Sequence, residues 1–75
     1  MTIILNTLDR VKKFGDIASK FDSDIDVIRN KYIVDGKSIL GIFTLDLRQP
    51  VDVEIHSDNE EEIRTFNEVM EAFMV

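Results

Sequence analysis

Apolar residues in this chain follow two periods, and the switches between them divide it into elements. Residues 2–6, TIILN, are short, apolar and β-branched, as a strand requires. Val11, Phe14, Ile17, Ala18 and Phe21 then recur at intervals of three and four, which places them on one helix face. Asn6 or Thr7 is placed to cap that helix, and Gly15 inside it marks a point of close packing. Period two returns in residues 24–29, DIDVIR, with Ile25 and Val27 on one side and Asp24 and Asp26 on the other. Asn30-Lys31 fits a tight turn in which Asn tolerates positive φ and Lys does so less readily. Tyr32 to Asp35 is then expected to pair back, with Val34 opposite Val27. After Gly36-Lys37, Ser38 is positioned to cap a short helix over Ile39 to Phe43. Residues 51–56, VDVEIH, alternate again, with Val51, Val53 and Ile55 inward and Asp52, Glu54 and His56 outward. Ile63, Phe66, Met70 and Phe73 mark a last amphipathic helix. Asn59 with Glu62 fits a capping box there, and Ser57 with Glu60 is a rival one.

The order is therefore β-α-β-β-α-β-α. Strands that alternate, rather than run solidly apolar, are half-buried, so the expected fold is α+β, an antiparallel sheet with helices over one face. If Val27 and Val34 point inward, Ile28 and Ile33 point outward, joined by Ile4 if the first strand's register allows. Such a patch on an open sheet face is a candidate homodimer contact; scattered surface aliphatics are the alternative.

Composition narrows the functional classes. With 75 residues the chain is expected to form one small domain, 1–75, burying roughly 60% of its unfolded surface. Without cysteine it has no disulfides and no thiolate metal site. A net charge of −6 argues against nucleic acid as a partner. The charge is nonetheless uneven. Arg10, Lys12, Lys13 and Lys20 share one segment, and Glu60, Glu61, Glu62, Glu68 and Glu71 another, as in a surface that orients a protein partner or in two solvated helix faces. Apolar runs are too short for a membrane span and the start lacks a secretory pattern, so a cytoplasmic location is expected. Asp24 and Asp26 share one face of their strand and Asp52, Glu54 and His56 one face of theirs, a pattern that a plain solvated face explains better than a metal cluster. No nucleophile–base pair, glycine-rich phosphate loop or metal-ligand spacing is visible, so a stand-alone enzyme, a cofactor and a metal are not expected.

Three segments add a resemblance. IASKFDSDIDV (17–27) looks like the end of a first helix and a second strand, Asn30 falls at a hairpin turn, and KSILGI (37–42) looks like a regulatory-serine motif. With the element order, they make the chain resemble HPr, the small phosphocarrier of the bacterial phosphoenolpyruvate-dependent sugar phosphotransferase system. The likeness extends over nearly the whole chain, and the KSILGI block is its specific part. It implies an open-faced β-sandwich, a four-stranded antiparallel sheet under three helices. That family carries phosphate on a histidine just before the first helix, followed closely by arginine and proline. Here the matching stretch, NTLDRVKKF, has neither histidine nor proline, and Thr7 lies near the histidine's position. A threonine phosphate ester is too stable for a relay that depends on a labile P–N bond. Arg10 would attract a phosphate there and Asp9 would repel it. In low-GC Gram-positive relatives the serine matching Ser38 is phosphorylated by a dedicated kinase. Lys37, Ile39, Leu40 and Phe43 beside Ser38, with Arg10 and Lys13, are the expected partner-binding residues. The resemblance thus implies a regulatory or protein-interaction module rather than an enzyme. Its partners would be phosphotransferase-system enzymes, an HPr-type kinase or a transcriptional regulator. The alternative is an active phosphocarrier using a displaced acceptor such as His56.

Overall fold

In the computed structural model, which describes residues 1–74, the alternating segments form one sheet. Its strands are β1 (Thr2–Ile3), β2 (Asp24–Arg29), β3 (Tyr32–Asp35) and β4 (Val51–His56). They lie in the order β1-β4-β2-β3, and every neighbouring pair is antiparallel. Three helices cover one face: α1 (Leu8–Ala18), α2 (Ile39–Ile42) and α3 (Glu60–Met70), the last continued by a 3-10 turn, Glu71–Phe73. The expected α+β architecture and element order are therefore observed.

Register follows from which side chains can be buried. Val27 pairs with Val34 on one side and Val53 on the other, Ile25 with Ile55, and Ile3 with Val51. Of these, Ile3, Ile25, Val27, Val51 and Val53 are buried, while Asp24, Asp52, Glu54 and His56 face out. Phe14 and Ala18 of α1 and Phe66 and Met70 of α3 close the core from above. Two edge-to-face aromatic contacts tie the helical segments together, Phe14 with Phe73 at 6.0 Å and Phe21 with Phe66 at 5.4 Å.

Several boundaries differ from the sequence reading. The first strand, expected over residues 2–6, stops at Ile3, because Ile4 donates its N–H to the Phe73 carbonyl at 2.7 Å instead. Ile4 consequently has no place in the row beside Ile28; Asp52 and Thr2 hold those positions, joined by a 2.7 Å hydrogen bond from Thr2 Oγ1 to Asp52. In the turn after β2, Asn30 alone among described non-glycine residues takes positive φ, at 55°, which spares Lys31 that conformation. Phe73 belongs to the 3-10 turn rather than to α3, yet it remains buried.

The expected capping box at α3 forms only by half. Asn59 Oδ1 accepts the N–H groups of Glu61 and Glu62 at 2.9 and 3.2 Å. The Glu62 carboxylate turns away to accept the Ser23 hydroxyl, and Asn59 donates its own N–H to Ser57 Oγ at 3.0 Å. Ser57 is thus a support for the capping residue and not a rival cap.

Gly36 closes the β3 end of the sheet. It donates its N–H to the Ile25 carbonyl at 2.7 Å, and a Cβ at this position would lie 2.8 Å from Ile25 Cγ2 and 3.1 Å from that carbonyl oxygen. Ile25 is buried, so neither atom can move freely. Gly36→Ala is expected to destabilise the fold by about 1–3 kcal/mol. In urea denaturation the midpoint falls while the slope is unchanged.

Candidate functional site: the Ser38 turn and the surface of helix α2

The turn between β3 and α2 is built by local capping. The Asp35 carboxylate accepts the Lys37 N–H at 2.9 Å, and the Asp35 carbonyl accepts the Ser38 N–H at 3.0 Å. Ser38 is the N-cap of α2, in extended conformation, with its Oγ accepting the Gly41 N–H at 3.1 Å. The expected capping role is therefore in place. The side chain is half-buried, and a Cβ on Gly41 would sit 3.2 Å from its oxygen, so glycine keeps the space beside the hydroxyl open.

Around this serine the sequence-selected residues separate. Ile42 is buried, whereas Leu40 is 82% exposed, Phe43 45% and Ile39 37%. These three form an apolar surface that the core does not use. Ile39 is also the bearing of α2 on α1, since a Cβ on Gly15 would meet Ile39 Cγ1 at 3.2 Å. The close packing expected at Gly15 is thus real, and its partner is Ile39. Lys37 is not a free cation: its Nζ donates to the Phe21 carbonyl at 2.6 Å, joining the start of α2 to the segment after α1. That long-range bond left no mark in the local sequence pattern.

Arg10 and Lys13 lie at the other end of α1. Thr7, and not Asn6, caps the helix, accepting the Arg10 N–H at 3.2 Å. The Arg10 guanidinium donates from Nε to the Ile4 carbonyl at 2.8 Å and lies 5.7 Å from the centre of the Phe73 ring. Lys13 pairs with Asp9 at 3.1 Å on the exposed helix surface. Arg10, Lys13, Asp9, Asp16, Ile17 and Phe73 border a cleft of about 410 Å³. Its rim carries charges of both signs, and Arg10 acts first as a structural strut between Ile4 and the helix.

His56 ends β4 on the open face, and its Nε2 donates to Asp26 Oδ2 at 2.7 Å. The hydrogen bond to Asp26 raises its pKa, and the nearby carboxylates of Asp26, Glu54 and Asp24 act in the same direction. Val51, where β4 meets β1, lies five positions earlier, so His56 is about 17 Å along the strand from it. Among the described residues, no three acidic, histidine or cysteine side chains converge as metal ligands, and no helix is long and apolar enough to cross a membrane. Between α2 and β4, Arg48 clamps Asp46 through hydrogen bonds at 2.9 and 3.1 Å and holds its carboxyl at about 2.

Comparison with known proteins gives one family. A family model described as the PTS HPr component phosphorylation site matches residues 10–74. A search of the curated proteins gives no match. The crystal structure of HPr-C-His from Thermoanaerobacter tengcongensis is similar with a TM-score of 0.75 and 30% identity, covering 96% of this chain and 90% of that one. Crh of Bacillus subtilis, a catabolite repression protein described as a domain-swapped, intertwined dimer, shares the fold at a TM-score of 0.67 and 19% identity, covering 100% and 88%.

The His56–Asp26 pair generates a pH dependence. A histidine whose folded pKa is raised stabilises the fold fully below its unfolded pKa, about 6.5, and that contribution is lost as pH rises through the folded value. The unfolding midpoint is therefore expected to fall slightly between pH 6 and 8. An NMR titration should show the His56 pKa above its ordinary value, with Asp26→Asn returning it toward that value.

Proposed function

The chain belongs to the HPr family of the bacterial phosphotransferase system, and from that premise we propose that it is a cytoplasmic regulatory or interaction module which does not relay phosphoryl groups through histidine. The observation that supports this most is the placement of its single histidine. His56 sits on the face away from the helices, hydrogen-bonded to Asp26. A phosphoryl group on that ring would bring about −1.5 to −2 further charges among Asp24, Asp26 and Glu54, and their repulsion opposes its arrival. At the start of α1 the nearest candidate acceptor, Thr7, offers only an ester-forming hydroxyl and is occupied as the helix cap.

The working surface in this reading is the turn at Ser38 with Ile39, Leu40 and Phe43. An apolar surface beside a capping hydroxyl has the form of a docking site with a chemical switch at its margin. Phosphate on Ser38 would face the free N–H groups that begin α2, which accept negative charge well. It would also stand near the Asp35 carboxylate, so the modification changes the surface potential sharply without entering the core. The partners are other proteins, among them the family's kinase and phosphotransferase enzymes or a transcriptional regulator.

Two reactions test the reading. With phosphoenolpyruvate and the first enzyme of the phosphotransferase system, the protein is expected to acquire no acid-labile phosphate. Labelling that disappears in His56→Ala would establish the relay instead. With the family's serine kinase and ATP, it is expected to acquire one acid-stable phosphate that Ser38→Ala abolishes. Leu40→Asp should lower that kinase's kcat/KM by about tenfold or more, as loss of an apolar anchor does. Since Leu40 is largely exposed, stability should change by no more than about 0.5 kcal/mol.

A further inference from the structure

Strand β3 is a bare edge of the sheet. The hydrogen bond from Gly36 N–H to the Ile25 carbonyl sets the alternation along the β2–β3 ladder. Val34 and Tyr32 therefore turn their backbone groups toward β2, while Ile33 and Asp35 turn theirs away. Ile33 is 64% exposed and Tyr32 69%. On the open face Ile33 pairs with Ile28, so an apolar strip runs up to the edge and stops there.

We propose that β3 pairs antiparallel with β3 of a second copy of this chain, about a two-fold axis through Ile33. Parity restricts the registers, because an outward-facing backbone group must meet another outward-facing one. An axis between two residues fails that condition. An axis at Tyr32 sets Lys31 against the other copy's Ile33, and an axis at Val34 sets Asp35 against it. Only an axis at Ile33 places Lys31 of each copy opposite Asp35 of the other, and so matches charges at both ends.

The side chains agree with that register. Residues directly opposite in an antiparallel ladder share a face. Ile28 and Ile33 of each copy would then form one continuous apolar strip across the axis. On the helix-covered side, Tyr32 would lie beside Val34 of the other copy. The Lys37 N–H fixes the Asp35 carboxylate through Oδ1, leaving Oδ2 available to the other copy's Lys31. In a chain of net charge −6, a self-contact must bring cations to carboxylates to offset repulsion, and this register does so twice. The contact is strand addition, and with four residues per edge it is small and readily reversible.

The chain lacks cysteine, so Ile33→Cys supplies one thiol on the axis. The expected Cα separation there, about 5.5 Å, suits a disulfide. Under mild oxidation this variant should form a covalent dimer at least tenfold faster than Leu40→Cys, although Leu40 is the more exposed position. Equal rates would overturn the proposal. In sedimentation equilibrium the unmodified chain should move from one to two chain masses as its concentration rises into the millimolar range. Ile33→Lys should remain a monomer. Lys31→Asp and Asp35→Lys should each associate weakly alone and associate when mixed, because the mixture restores both charge pairs. A monomer throughout, or a dimer unaffected by Ile33→Lys, would overturn the proposal, the latter by placing the contact elsewhere.

Discussion

One row of inward-pointing side chains holds this molecule together. Ile3, Val51, Val53, Val27 and Ile25 stand on the same side of the sheet only in the observed register. A slip of one residue would turn Asp24, Asp26, Asp52 and Glu54 into the core, where ionised carboxylates are very unfavourable. The charged outward set therefore specifies the register as firmly as the apolar set stabilises it. The short chain supplies helices for one face and leaves the other to water. Everything of functional interest hangs from this slab: α2 bears on α1 through Gly15 and Ile39, and the Ser38 turn continues directly from β3.

Where the pattern was strong and local, the sequence read correctly. Strands β2 and β4 occupy the residues that alternate, because charge is set against aliphatic from Asp24 to Val27 and polar against aliphatic throughout Val51–His56. The two-residue turn at Asn30 dictated the pairing of Val27 with Val34, and Ser38 and Thr7 cap the helices that follow them. What escaped was decided by distant partners. β1 is cut short by the Phe73 carbonyl, which lies at the far end of the chain. Glu62 leaves its capping box for Ser23, 39 residues away, and Lys37 reaches Phe21 over 16. No window of local sequence contains both members of such pairs. The candidate site was legible only through the KSILGI run, since a serine before an apolar stretch is by itself an ordinary helix start.

The two surfaces singled out lie close in sequence but differ in kind. The edge of β3 presents unpaired backbone, which recognises any extended strand and leaves selectivity to its flanking charges. The surface of α2 presents side chains on a short helix, which recognise shape and leave the backbone out. Asp35 belongs to both, as the last residue of the strand and the acceptor that orders the Ser38 turn. Events at one surface are thereby within a few bonds of the other.

The Lys37 tether has a consequence for any acidic visitor to α2. An anionic group that recruits this ammonium must take it from a neutral carbonyl, an exchange that electrostatics favours. Once taken, the clasp between the tail of the first helix and the head of the second is undone. Recognition at this spot would be accompanied by a local loosening, and its thermodynamic signature would include a gain in chain freedom alongside the new ion pair.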